Sequence, residues 1–181
     1  MIRAYTDGSS RGNPGPGGWG FMIEGPTPAL PTSEGENADT LASPMRGEVR
    51  RGGNTERGGY EPTTTNNKME LQAVIEAFKY LIKEKITEDT IEIYTDSEYV
   101  IKGLTIWLDG WVRRGWMTAA KKPVLNQEYW KELSNLKFAL EQMKNVVHMR
   151  YVPGHAGVAG NERVDAIATT CAIEQREHKE N

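Results

Sequence analysis

Four carboxylates stand at positions where an acidic side chain is unusual. Asp7 and Asp96 each end a run of strand-forming residues, with Tyr-Thr-Asp in both places. Glu70 and Asp165 fall on or beside the apolar stripes of two predicted helices. A carboxylate that faces a core is costly unless it is paired or binds a cation. Taken singly, each strand-end aspartate also suits an ordinary turn, and Glu70 suits the first turn of a helix dipole.

The chemistry of this set is that of a hard metal ion. Cys171 is the only cysteine, and the three histidines form no cluster, so nothing favours a soft metal. Oxygen ligands alone suit Mg²⁺ or Mn²⁺. Four carboxylates can hold two ions, the arrangement that cleaves phosphodiesters by activating water and stabilising the leaving oxygen. Spacing alone does not decide whether carboxylates so distant in sequence meet.

Alternating patterns predict the elements that position these residues. Residues 2–7 and 91–96 predict strands, and ligands bind at the carboxyl ends of strands in open α/β sheets. A second strand at 19–24 is predicted to run antiparallel to the first. The rest of the pattern predicts helices at 68–85, 99–104, 126–143 and 161–173, and a last strand at 146–152.

One region lacks apolar periodicity. Between residues 25 and 62, twelve of the 38 residues are glycine or proline. Most of this range is predicted to be a surface insertion or loop, and residues 48–55 are predicted to supply an edge strand. Residues 174–181 are charged and predict a frayed tail.

Composition bounds the class of protein. A chain of 181 residues suits one domain, and a lone cysteine suits a reducing cytoplasm. There is no leader pattern, and no apolar run approaches a membrane helix. The net charge is −3, yet residues 102–122 carry five basic residues and one acid, and three of the five tryptophans lie at 107–116.

Several motifs, in order, resemble those of type 1 ribonucleases H of the bacterial kind. They are Asp7-Gly8-Ser9 with the Gly/Pro run 12–18, Thr64 to Leu71, Thr95-Asp96-Ser97 with Tyr99-Val100, the stretch 107–124, and Gly154-His155-Ala156-Gly157 followed by Asn161-Glu162-Arg163 and Asp165. The resemblance implies an α/β fold with a mixed five-stranded sheet flanked by helices. It also implies endonucleolytic cleavage of the RNA strand of RNA–DNA hybrids, leaving 5′-phosphate and 3′-hydroxyl ends. The implied cofactor is Mg²⁺, two ions per site with substrate, with Mn²⁺ as a substitute.

The resemblance assigns roles by position. Asp7, Glu70, Asp96 and Asp165 match the metal-binding carboxylates, and His155 matches a mobile histidine that assists proton transfer and product release. The residues that match minor-groove contacts are Asn13, Asn66, Asn67 and Gln72, where amides can read a 2′-hydroxyl; helix capping is the other interpretation of the asparagine pair. A basic protrusion that holds the DNA strand is matched by Trp107, Trp111, Arg113, Arg114, Trp116, Lys121 and Lys122, with Trp116 expected to be partly core. Thr65 and Asn126 match a DNA-phosphate pocket.

We therefore expect a single domain at 1–175, with an insertion at about 25–46 and a charged tail at 176–181. It should act as a cytoplasmic monomer on RNA–DNA hybrid, away from membranes. The insertion makes this region about twenty residues longer than in typical members, and the separate N-terminal hybrid-binding domain of eukaryotic members is not expected.

Three other interpretations stay open at this point. A hybrid-binding module without catalysis is disfavoured, because negative charge near phosphates weakens binding. A metal-dependent phosphatase of the strand-end-aspartate kind would need a second aspartate at position 9, which is Ser9. A relative that acts in DNA strand transfer, or as the cleavage domain of a larger polymerase, is ranked lower because the chain suits a stand-alone domain.

Overall fold

A computed structural model of the chain describes residues 1–25, 49–51 and 54–177. The strands are β1 (Ile2–Ser10), β2 (Gly15–Glu24), β3 (Val49–Arg51), β4 (Asn54–Thr64), β5 (Thr90–Thr95) and β6 (Val146–Tyr151). The helices are α1 (Asn66–Lys83), α2 (Glu98–Lys102), α3 (Leu108–Arg113), α4 (Gln127–Gln142) and α5 (Ala159–Glu177), with a π-helical segment at Gly103–Trp107 between α2 and α3.

The sheet is mixed, with strand order β3-β4-β2-β1-β5-β6. β1 and β2 form the predicted antiparallel hairpin, and β4 pairs antiparallel with β2. β5 lies parallel to β1, and β6 lies parallel to β5. The predicted mixed five-stranded sheet is confirmed, and the three-residue strand β3 extends it at the β4 edge.

The strand β4 corrects the sequence interpretation, which assigned most of residues 25–62 to an insertion or loop. The edge strand predicted at 48–55 corresponds to β3 and the start of β4. Gly58, Gly59 and Pro62 depress strand propensity, but the two glycines are required by close packing. A Cβ on Gly58 would lie 2.5 Å from Cγ2 of Ile167 on α5, and one on Gly59 would lie 2.4 Å from the Trp19 ring. Apart from Gly25, the predicted insertion at about 25–46 lies outside the described residues.

Helices pack on both faces of the sheet. α1 places Leu71, Val74, Phe78 and Leu81 in the main core, against Ile91 and Ile93 of the sheet and against α4. α5 covers β1, β2 and β4 on the other face, where Tyr5, Met22 and Val164 form a small second cluster. α5 begins two residues before the predicted helix and ends four residues after it, so the part of the tail up to Glu177 is helical.

The segment after β5 is helical as predicted, but its middle is wound as a π-helix. Gly103 permits the Trp130 ring to pack closely against this segment, because a Cβ at position 103 would lie 1.9 Å from that ring. Trp130 is thereby fully buried beneath the junction of α2 and α3. No helix within the described ranges is long and apolar enough to cross a membrane.

Candidate active site

The parallel pairing of β1 and β5 brings Asp7 and Asp96 to the same edge of the sheet. Tyr5 pairs with Tyr94, so the two aspartates follow at equivalent positions, two residues further along each strand line. Asp7 is only 9% exposed, and its Oδ1 accepts a hydrogen bond of 2.7 Å from the Gly8 amide. This is the edge at which the sequence predicted a ligand site.

Glu70 reaches this edge because α1 approaches β1 very closely. A Cβ on Gly8 would lie 2.1 Å from the Met69 carbonyl carbon and 2.2 Å from the Glu70 amide nitrogen, so only glycine permits the contact. Asn66 donates a hydrogen bond of 2.7 Å to Oε1 of Glu70. The Ser97 hydroxyl donates to Oε2 of Glu70, which ties α1 to the residue that follows Asp96.

Asp165 enters from the opposite layer, on the second turn of α5. The helix lies close to the sheet because Gly160 packs on the Tyr5 ring, where an added Cβ would approach to 2.6 Å. Gly20 of β2 lets the backbone of Val164 approach in the same way. Asp165 is half-buried beside this contact.

The other three carboxylates lie close enough to Asp7 to affect its ionisation. Burial, followed by repulsion from Asp96, raises the pKa of Asp7 to about 8, and Asp165 and Glu70 add to the rise. Burial also raises the pKa of Glu70, and Asp96 adds to it, while the hydrogen bonds from Ser97 and Asn66 oppose the shift. A raised carboxyl pKa means that the site resists accumulating negative charge, and a cation would relieve this.

The carboxylate oxygens of these side chains suit a divalent cation, although their positions do not form a coordination shell. Across the part of the chain that the structure describes, no three His, Cys, Asp or Glu side chains already form a group that could hold a metal ion. Like charges without a counter-ion repel one another, and Glu70 is engaged by Ser97 and Asn66. The shared electrostatic field and the oxygen-only donors match a hard ion such as Mg²⁺.

His155 is exposed in the loop between β6 and α5, where its φ is +54°. The loop lies against the carboxylates, because a Cβ on the neighbouring Gly154 would lie 2.8 Å from Oδ2 of Asp96. His155 is therefore next to the site without being held inside it.

The residues predicted to meet the minor groove lie around the start of α1. Thr65 is the N-cap, and its hydroxyl accepts from the Lys68 amide, which leaves Asn66 and Asn67 in the first turn. Gln72 lies one turn further and donates to Glu76 at 2.9 Å. Asn13 is exposed in the loop between β1 and β2.

The structure divides the predicted basic protrusion. Arg113, Arg114, Lys121 and Lys122 are exposed on α3 and the loop that follows it. Trp111 is only 9% exposed and packs edge-on against Trp130 in the core, so its role in substrate binding stays a prediction. Trp107 is partly buried against Trp111 and Tyr99, and Trp116 is partly buried as expected.

Sequence reasoning missed three supporting residues. Ser97 holds Glu70, while Gly8 and Gly154 permit the close contacts beside Glu70 and Asp96. Ser97 carried a signal, since it follows a strand-end aspartate and opens a helix as its N-cap. Gly8 and Gly154 belong to the quoted motifs, but their packing roles could not be found from sequence, because each is required by a partner that is distant along the chain.

A mixed sheet that gathers carboxylates from two strand ends and two flanking helices defines the ribonuclease H class of fold and site. The family model for RNase H matches residues 1–173, and the chain belongs to this family. It resembles the bacterial type 1 members, and like them it is a nuclease that hydrolyses the RNA strand of RNA–DNA hybrids. The family depends on divalent metal.

Individual relatives agree with this assignment. A ribonuclease H of Thermosynechococcus vestitus is 46% identical over 168 residues, covering 92% of this chain and 86% of that protein. The structure of LC9-RNase H1, a type 1 RNase H with the type 2 active-site motif, is 32% identical with a TM-score of 0.67, covering 96% of this chain and 72% of that one. LC11-RNase H1, solved in complex with RNA/DNA hybrid, is 24% identical with a TM-score of 0.62 and shares the fold, with 97% and 99% covered. The interpretations as a non-catalytic module and as a phosphatase are thereby set aside.

Proposed function

We propose that Asp7, Glu70, Asp96 and Asp165 bind two Mg²⁺ ions, with Mn²⁺ as a substitute, and that the chain cuts RNA endonucleolytically to leave 5′-phosphate and 3′-hydroxyl ends. The observation that carries this is the geometry of the sheet edge, where Asp7 and Asp96 follow paired positions of β1 and β5 and Ser97 binds Glu70. Burial and the neighbouring carboxylates raise the pKa of Asp7 to about 8. Such a group is a poor ordinary core residue and a good cation ligand. When bound, the ions supply water activation and stabilisation of the leaving oxygen.

The protein's own residues orient the reaction. Ser97 and Asn66 hold the Glu70 carboxylate against the strand edge, and Gly8 fixes the distance between α1 and β1. Gly154, the neighbour of His155, lies beside Asp96 on an exposed loop. This supports our assignment of His155 to proton transfer at the leaving group and to product release.

Two helix starts support a contact with the DNA strand. Thr65 and Asn126 precede α1 and α4, and the first turns of these helices meet. Nζ of Lys68 on α1 lies 3.6 Å from Oε1 of Glu128 and 5.6 Å from the ring centroid of Tyr129, both on α4. Helix N-termini favour phosphate, so we assign Thr65 and Asn126 to a DNA phosphate.

The remaining predicted substrate contacts are assigned to the minor groove of the hybrid and to the DNA backbone. We assign Asn13, Asn66, Asn67 and Gln72 to the minor groove of the hybrid. The cations Arg113, Arg114, Lys121 and Lys122, with Trp107 at their base, are assigned to the DNA backbone. Trp111 supports them from the core.

We further propose a single domain at 1–175 that works as a cytoplasmic monomer, with an insertion at about 25–46 and a charged tail at 176–181. A single cysteine, Cys171, suits a reducing compartment.

Cleavage of end-labelled substrates tests the function. Hybrid, double-stranded RNA and double-stranded DNA are each incubated with Mg²⁺ and with excess chelator. We expect only the RNA of the hybrid to be cut, and only without chelator, and the product ends to be substrates for 3′-end ligation. Undiminished cleavage in chelator would overturn the metal assignment, while cleavage of either control duplex would overturn the substrate.

A further inference from the structure

The hydroxyl of Tyr99, three residues after Asp96, is the centre of three hydrogen bonds. It accepts from Nε1 of Trp130 at 2.9 Å and from Nδ2 of Asn126 at 3.2 Å. It donates to the Leu125 carbonyl at 3.5 Å. A hydroxyl has one donor and two acceptor positions, so its capacity is filled.

Asn126 depends on this contact for its orientation. Its backbone is left-handed, with φ +55° and ψ +37°, and its side chain makes no capping hydrogen bond to α4. One proton of its amide nitrogen is directed to Tyr99, which leaves the other proton for an outside acceptor such as a phosphate oxygen.

Tyr99 is itself held rigidly. Its ring meets the Trp130 ring edge-on, with centroids 5.3 Å apart, and Trp130 is fully buried. The helix that carries Tyr99, α2, begins at the N-cap Ser97, whose hydroxyl also holds Glu70. One short helix therefore joins the carboxylate site to Asn126.

We propose that Tyr99 is a positioning residue that orients Asn126 toward a phosphate of the DNA strand, at a set distance from the carboxylates. The inference rests on the proposed function through the role of Asn126. The hydroxyl of Tyr99 is occupied by protein partners, so the effect of removing it should reach binding through Asn126.

Steady-state kinetics on a labelled hybrid with Mg²⁺ tests this with Tyr99→Phe, Asn126→Ala and the double variant. We expect Asn126→Ala to raise KM about tenfold, as for the removal of a hydrogen bond to a charged group. Tyr99→Phe should raise KM about three- to tenfold, as for the removal of a hydrogen bond between neutral groups. The double variant should raise KM no more than Asn126→Ala alone, and kcat should change less than about twofold in each.

A matched control separates this role from loss of stability. Tyr80→Phe removes a buried tyrosine hydroxyl that bonds Thr55 at 3.0 Å, away from Asn126. It should lower Tm, as Tyr99→Phe also should, and leave KM unchanged.

The outcomes are distinct. If Asn126→Ala raises KM but Tyr99→Phe does not, or if the two effects on log KM add fully, the positioning role is overturned and the proposed function stands. If Asn126→Ala leaves KM unchanged, the phosphate contact in the proposed function fails, and the positioning role fails with it.

Discussion

Burial and neighbouring carboxylates both disfavour the ionised form of Asp7. Folding places it in a nearly closed position beside other carboxylates, and its pKa rises to about 8. The folded protein therefore keeps a proton that the unfolded chain releases near pH 4. Stability from this group is complete below about pH 4 and falls as the pH rises toward about 8.

Asp7→Asn should remove this pH dependence in the chelated, metal-free protein. Asparagine is neutral at every pH, so the variant should gain on the wild type by more than ~1 kcal/mol in the free energy of unfolding at pH 8, and by little near pH 4. Urea unfolding at several pH values measures the difference.

The exposed acid Asp109 on α3 supplies the control, because Asp109→Asn should show no such trend. Asp7→Asn should also retain less than about a tenth of wild-type kcat, a loss above ~1.4 kcal/mol. If Asp7→Asn retained more than about a tenth of wild-type kcat, Asp7 would not be a metal ligand.

His155→Ala should act on turnover rather than on binding. The side chain is exposed and lies outside the hydrogen bonds that hold Glu70, so the carboxylates and hybrid contacts remain in place. We expect kcat to fall ~10²-fold, the low end for a proton-transfer group, with little change in KM. Steady-state kinetics checks this, and an effect confined to KM would contradict the assigned role.

At the scale of elements, packing decides which residues of a motif face outward. The stretch from α2 to α3 supplies aromatic rings to the core and cations to the surface, because Gly103 lets Trp130 enter beneath the π-helical segment. Tyr99, Trp107 and Trp111 close around that ring. The surface of the protrusion is therefore left chiefly to its four cations.

Neutralising these cations should weaken hybrid binding and flatten its salt dependence. The variant combines Arg113→Ala, Arg114→Ala, Lys122→Ala and Lys121→Asn, since asparagine tolerates the φ of +57° at position 121. KM should rise, and the slope of log affinity against log salt should fall by up to roughly one unit for each phosphate that these cations neutralise.

A salt series on the wild type, this variant and a control measures the effect. The control replaces Lys79 and Lys83 on α1 by alanine and should leave the slope unchanged. An unchanged slope in the protrusion variant would show that these cations do not contact the DNA backbone.

At the scale of the whole molecule, the sheet directly joins the strand that precedes the predicted insertion, β2, to a strand that follows it, β4. β2 pairs with β4 along most of its length, from Ile23 with Thr55 to Gly15 with Thr64. This pairing is made entirely by described residues on either side of the range 26–48.

Deleting residues 26–45 should accordingly preserve folding and catalysis. Shortening a loop changes its closure free energy only by a few tenths of a kcal/mol to ~1 kcal/mol. We expect kcat and KM on a short hybrid to stay within about threefold of wild type, with a similar urea midpoint. A shortened protein that folds but no longer binds hybrid would place the insertion on the substrate face.

Local patterns determined much of this protein in advance. Strand alternation ending in Asp7 and Asp96, and the helical stripe around Glu70, depend on near neighbours in sequence, so the sheet, the helices and the acidic edge could be predicted. The motif order likewise identified the family.

Only the tertiary structure decided where distant surfaces touch. Trp111 turned inward because Trp130 lies beneath it, and β4 formed because its glycines let Ile167 and the Trp19 ring approach. Ser97 was joined to Glu70 by the closeness of α1 to β1, which Gly8 allows. Burial and hydrogen bonding of this kind arise between residues far apart in the chain, and neither periodicity nor propensity carries information about them.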